Sequence, residues 1–510
     1  MASDRKAAEV ELGAFDEPQK ELSTDDEADM RRMSKSQEFT ESHEKAFNEV
    51  QRLTFSFSTT ATAIANGQTG GLIIMFLVDW FGLLFVVLSL AEMSSIAPTA
   101  GGQYHWASES APASMQKLIS YMVGWLSSLA WLCGVASGIF ISGLTYQGLI
   151  VINDADYVPQ AYQAWLLGVM IITLGVLINT VLARWLPWLE GMIFVLFALV
   201  FLAQVVVLWV LAPRLTAGQS AIMFLIVGKQ KMQRTRIQQR TKLTESSDAT
   251  AHMAKETKHA AVSIPRAMIA SYLVNGGLAF IMLVTYCFVL VDYDKALDSP
   301  VGLVGLPFIQ VFVSATSSVG GATTLIAFTC TLQCLGLVNW MAAAARQIFA
   351  FARDRGFPFR HWITKMDAAG TYPVNSLLFV WALVVLITLI ALGSTVAFDA
   401  ITSLQILSLM FTYLVTLGCI IWRRLFGAPL APGPWSLGRA GLPINIVAVL
   451  YCIYLVIFLP WPQDVPVTAQ SFNWASVMFV GIMLLSALYY VAWARKVYKG
   501  PVVYVHSRGE

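Results

Sequence analysis

LTAGQSAIMFLIVG (residues 215–228) runs directly into KQKMQRTRIQQRTKLTESS (residues 229–247), and the reading of this junction decides the fold. The second string opens a segment, residues 229–266, that carries nine Lys and Arg. It lies between two apolar runs, 186–211 and 268–291, each long enough to cross a bilayer. If basic loops stay on one side, the ends of those runs that face this segment lie on opposite sides of the membrane. Only residues 215–228 are apolar enough to carry the chain back. As a helix those 14 residues reach about 21 Å, against about 30 Å of hydrocarbon. The sequence reads as an all-α polytopic membrane protein in which one crossing is damaged.

Composition agrees with the class. The chain has 510 residues, 57% hydrophobic and 13% charged, with a mean hydropathy of +0.64; soluble domains carry about 25% charged residues. A net charge of +2 argues against a nucleic-acid partner. The six cysteines all fall in apolar runs, without disulfide or zinc spacing, and read as small buried side chains. Residues 1–52 hold 14 acidic and 8 basic residues and no apolar core. They predict a disordered tail and no secretory signal peptide.

Ten apolar stretches of spanning length follow: 71–93, 118–150, 165–183, 186–211, 268–291, 322–351, 377–392, 396–422, 444–461 and 474–493. Two further segments are too short or too polar, a Ser/Thr-rich one at 53–66 and another at 220–228. Basic residues outside the N-terminal tail divide 23 to 2 between the two sides if all twelve segments cross. Only Arg214 and Lys295 then fall on the outer side, among Asp154, Asp156, Asp292, Asp294, Asp298 and Asp464. The bias predicts cytoplasmic N- and C-termini, the latter from residue 495, and a basic cytoplasmic loop at 229–266. If residues 215–228 did not cross, everything after Met268 would invert against the rule. A short helix in a locally thinned bilayer is the bland way to keep the crossing.

AEMSSIAPTAGGQYHW (91–106) is a helix end followed by a Pro- and Gly-rich re-entrant or surface turn, closed by aromatic residues. As a string it resembles the hallmark of fungal amino acid, GABA and choline permeases of the amino acid–polyamine–organocation superfamily. The resemblance continues in GWLSSLAWLCGVASGIF (124–140), YQGLIVIND (146–154) and LPWLEG (186–191). It extends through DATAHMAKETKHAAVSIPRAM (248–268), ARQIFAFARDRGFPF (345–359) and VYKGP (497–501), in family order.

The resemblance implies two inverted five-helix repeats plus two extra helices, working by alternating access. It implies no enzyme and no cofactor. Cargo would be an amino acid, GABA, choline or a related amine, with a co-transported proton as one way to drive uptake, at the plasma or vacuolar membrane. Broken helices near the midplane hold the ligand in such folds. In this superfamily they are the first and sixth, the two that are truncated or replaced here. Asn66, Gly67, Gly70 and Gly71 remain from the first and are expected at the substrate site or in a plain turn between helices. Residues 228–242 lack the Gly spacing and Ser/Thr of a phosphate loop. Gly228–Lys229 is also what an unread splice donor would encode, so the alternative is a transport-inactive, mis-spliced chain.

Ionisable groups in apolar runs are functional candidates. Asp79 lies near the middle of its span and is expected at coupling or gating, or paired across the bundle. Asn339 is a candidate for substrate or for a neighbouring helix. Arg346, with Arg353, Asp354 and Arg355, is expected at an inner gate or at lipid headgroups. Glu92, Glu190 and Asp399 are read as solvated at span ends, and His105 and His252 as loop residues.

Overall fold

The computed structural model describes residues 68–213, 252, 259–290, 293–366, 373–430, 433–462, 467–469, 472–498 and 500–501. The tail at 1–52, both short segments, most of the basic loop and the last nine residues lie outside the described residues, as do Asn66 and Gly67.

All ten apolar stretches form helices. They are α1 (Gln68–Ile96), α3 (Gln116–Asn153), α4 (Ala161–Val181), α5 (Leu186–Leu211) and α6 (Ala260–Val289). After them come α8 (Val319–Arg353), α9 (Val374–Leu392), α10 (Thr395–Phe426), α11 (Gly441–Phe458) and α12 (Ala475–Tyr489). Two shorter helices, α2 (Gln103–Ser110) and α7 (Pro307–Thr316), lie between α1 and α3 and between α6 and α8. Among the described residues, nine helices are long and apolar enough to cross a membrane, and α9 is slightly shorter. Boundaries follow local chemistry. Pro98 stops α1, Pro187 and Pro307 open α5 and α7, and the Ser318 side chain accepts the Gly321 N–H at 3.2 Å to cap α8. The N-terminus of α4 carries a reciprocal cap between Gln160 and Gln163.

Two layers share the long helices. One is α3 with α4, α8 and α9; the other is α1 with α6 and α11, and α10 touches both. Burial ranks them: 72% of the apolar window of α10 is buried and only 11% of that of α12, so α10 is an axis and α12 a lipid-facing edge. Small residues bring backbones together, as membrane helices require. A Cβ on Gly168 would lie 2.7 Å from the Ile139 carbonyl oxygen, and one on Gly143 would collide with that of Ala164, which fuses α3 to α4.

The ends sort by charge. Lys117 bonds the Arg495 carbonyl, Arg423 the Glu109 carbonyl and Tyr104 the Asp354 carboxylate, so the basic ends of α3, α8, α10 and α12 share one face. Asn153 and Thr323 meet at 2.9 Å on the opposite face. Pro213, at the end of α5, lies with Val289 and Lys295 at the end of α6. The start of α6 packs instead with Ala97 at the basic face. The chain between Pro213 and Ala260 therefore passes from one face to the other, and nothing after Met268 inverts. The helical start at Ala260 also shortens the basic loop, which the sequence carries to residue 266.

Overpacking tests the α3–α4 seam. Gly143→Leu is expected to cost about 1–3 kcal/mol or to prevent folding, read as a lower unfolding midpoint or a lost monodisperse peak in detergent. Gly191→Leu, at a glycine with open space around it, should leave both unchanged.

Candidate functional site

Between the layers, α3 and α10 meet along a ladder of matched side chains. Phe140 stacks on Phe398 with ring centroids 4.3 Å apart, and the Ser137 and Thr402 hydroxyls lie 3.1 Å apart. One turn on, Gly134 leaves room for the Gln405 amide; a Cβ there would sit 2.9 Å from Nε2. Nearer the basic face, Ser127 donates to Gln103 Oε1 at 3.4 Å and Thr416 to the Gln103 carbonyl at 3.5 Å. The i, i+3, i+4 spacing of these positions on both helices is what one face of an α-helix presents.

At the middle rung the ladder opens into a crevice with about 230 Å³ of atom-free space. Ala130, Trp131 and Gly134 of α3, Trp340 of α8, and Gln405 and Leu409 of α10 line it. Trp131 is 14 residues past Met115, the N-cap of α3 at the basic face less two, which places the crevice about 20 Å along that helix. It is apolar in outline with few polar groups, as small-molecule sites are. The Trp131 indole N–H and the Ser408 hydroxyl are buried without a hydrogen-bond partner among the described residues. A buried donor in that condition costs free energy until something accepts from it.

The sequence-predicted residues are not gathered there. Asp79 is buried, but Oδ1 accepts from the Tyr451 hydroxyl at 2.5 Å, against α11. Gly82, one turn away, permits that approach because any Cβ would strike the Tyr451 ring. Asn339 is buried beside Trp340 but does not line the crevice. Arg346 lines a separate niche with Asn179, Pro373 and Leu377. Gly70 lies in the first turn of α1, in helix rather than in a turn between helices.

Three readings need correction. Glu92 is buried, not solvated: it pairs with Arg424 and accepts from Ser436 Oγ at 3.2 Å and the Leu437 N–H at 3.0 Å. Glu190 is likewise buried. His105 lies within α2, buried and 3.5 Å from Glu109, and His252 is buried as well. The turn at 97–102 is enclosed rather than superficial, with the Trp106 indole donating to the Ala97 carbonyl at 2.9 Å. Solvation was the wrong inference because the helix ends at the basic face are roofed by α2, by residues 433–440 and by the C-terminal segment.

That roof is aromatic. Phe351 packs against Tyr104, Tyr121, Phe357 and Tyr498, and the Gly124 and Gly356 positions accommodate its ring. Burial, reinforced by the Asp354 carboxylate, pushes the Tyr104 and Tyr498 hydroxyls well above their usual range. Both stay protonated; Tyr104 donates to Asp354 Oδ2 at 2.9 Å, and Tyr498 lies 2.6 Å from Ser120 Oγ.

The family model described as amino acid permease matches residues 46–484. An uncharacterized amino-acid permease of Schizosaccharomyces pombe is 27% identical over 89% of this chain and 85% of its own. The amino-acid permease BAT1 of Arabidopsis thaliana is 25% identical over 90% and 91%, and the thiamine transporter thi9 of S. pombe is 25% identical over 91% and 85%. A manganese transporter of Eremococcus coleocola, solved with an aromatic bis-isothiourea compound, superposes with a TM-score of 0.54 at 13% identity. That superposition covers 92% of this chain and 98% of that one, and it carries the likeness of fold alone.

Glu92→Gln should destabilise the chain by about 3 kcal/mol, because it strands the Arg424 guanidinium in a mostly buried place. A lower unfolding midpoint in detergent checks this, and Glu92→Gln with Arg424→Met should regain part of the loss.

Proposed function

This chain belongs to the amino acid permease family, and from that premise we propose that it carries an amino acid or a related small amine, GABA and choline among them, across its membrane by alternating access. It is an integral membrane protein and not an enzyme. The observation that carries the reading is the mid-bundle crevice with the unpartnered Trp131 indole N–H at its wall. A carboxylate or hydroxyl of a bound solute would accept from that donor, while the Trp131 and Trp340 rings offer faces suited to an ammonium group.

Two inverted repeats are supported by the spacing of elements. The longest helices, α3 at 38 residues and α8 at 35, stand at equivalent places. The short helices that precede them, α2 and α7, lie towards opposite faces. One repeat would then comprise the segment before α1 with α1, α3, α4 and α5. The other would comprise the segment before α6 with α6, α8, α9 and α10, leaving α11 and α12 as additions. The basic face is assigned to the cytoplasm by the Lys and Arg bias. A proton is the candidate coupling ion, at the plasma or vacuolar membrane. Asn339, next to Trp340, is assigned to the rim of the site; Asp79 and Arg346, in their own niches, are assigned to the moving parts around it.

A second reading rests on one observation, the 14-residue length of segment 215–228. A chain lacking a proper sixth span would fold without a complete ligand site and transport nothing.

Purified protein in liposomes decides between them. Uptake of a radiolabelled solute from a panel of amino acids, GABA, choline and thiamine is expected, and Trp131→Phe or Gln405→Leu should reduce uptake per KM by about tenfold each. Monodisperse protein that takes up none of the panel would favour the inactive chain.

A further inference from the structure

His252 is the residue of the connection between α5 and α6 that reaches deepest into the described structure. It is buried, and its Nδ1 lies 2.9 Å from the Ala100 carbonyl oxygen. A carbonyl only accepts, so Nδ1 carries the proton and the bond fixes the tautomer. The ring stands edge-on to Trp131, with centroids 5.2 Å apart at 82°. On its other side the backbone at Gly102 takes φ +54, and a Cβ there would come within 2.9 Å of His252 Cε1. The imidazole is thus wedged between the enclosed turn at 97–102 and the tryptophan whose ring lines the crevice. Ala100 lies past the basic-face end of α1, so His252 occupies the basic-face side of Trp131.

We infer that His252 is the floor of the crevice on the basic face: it positions Trp131 and has to leave the Ala100 carbonyl before a solute can pass to that side. The inference rests on the crevice being the solute site. Three features support the role. The residue belongs to the connection that passes from one face to the other, only eight positions before α6. It is held by one hydrogen bond and shape, a combination that holds firmly yet can be released. Gly102, in a left-handed conformation suited to glycine, leaves the space the ring fills.

The test is thiol accessibility of Ala130→Cys, a crevice position one residue from Trp131, in the full chain in liposomes without solute. An impermeant thiol reagent is applied from each face in turn, and labelling of the parent chain is subtracted. His252→Ala should speed labelling from the basic face about fivefold, the factor expected from one lost hydrogen bond, and leave labelling from the other face unchanged. His252→Asn, which can restore the donor to Ala100, should return the rate towards that of the parent. Should His252→Ala fail to fold, Gly102→Ala, which displaces the ring, should give the same acceleration. Equal basic-face rates with and without either substitution would overturn the inference, as would acceleration from both faces alike. Because no transport is measured, a chain that moves no solute still reports on its floor. A chain that transports normally with unchanged labelling overturns the floor and leaves the crevice standing.

Discussion

Close approach along α3 is the constraint on which the rest depends. Lipid tails give apolar helices no reason to prefer each other, so association has to come from fit and from hydrogen bonds between helices. On one side of α3, Gly143 meets the backbone of α4; on another, Gly134 admits the Gln405 amide of α10; nearer the basic face, Gly124 receives the Phe351 ring of α8. Fill any of these notches and three helices have to move together. The crevice exists because the same stripe of small residues that closes the seam elsewhere leaves a gap between two tryptophans.

Polar groups near the ends of the spans behave differently from those near the middle. At the basic face they are consumed by pairing: Glu92 with Arg424, Tyr104 with Asp354, Ser120 with Tyr498. Such pairs in a poorly solvated place are costly to break and fix the relative positions of α1, α3, α8 and α10. At mid-depth the Trp131 donor is left open. A stable bundle with closed polar groups at its ends and an open one at its centre is what a solute carrier requires, since the ends have to hold while the centre exchanges partners.

The inner side of the crevice illustrates how far sequence reasoning reaches. GWLSSLAWLCGVASGIF marks α3 by its small residues and aromatics, and Gln405 stands out as an amide in an apolar run. Both signals were present, yet neither says that the two positions face each other, because that depends on the rotation of α3 against α10. His252 had no signal of its own. In a stretch of mixed polarity a histidine reads as solvated, and only the fold of the turn at 97–102 reveals a socket for it.

Sequence by itself determined that the chain is helical and membrane-embedded, where ten of its spans lie, and that residues between α5 and α6 have to return across the bundle. Those follow from hydropathy, length and charge bias, which act locally along the chain and survive without knowledge of neighbours. Tertiary structure alone decided which polar residues are paired, which are buried and which face the crevice. Asp79 met a tyrosine of α11, 372 positions away, and Glu92 an arginine of α10, 332 positions away. Helix rotation and register set those meetings, and in a bundle where nearly every face is apolar, periodicity carries little information about either.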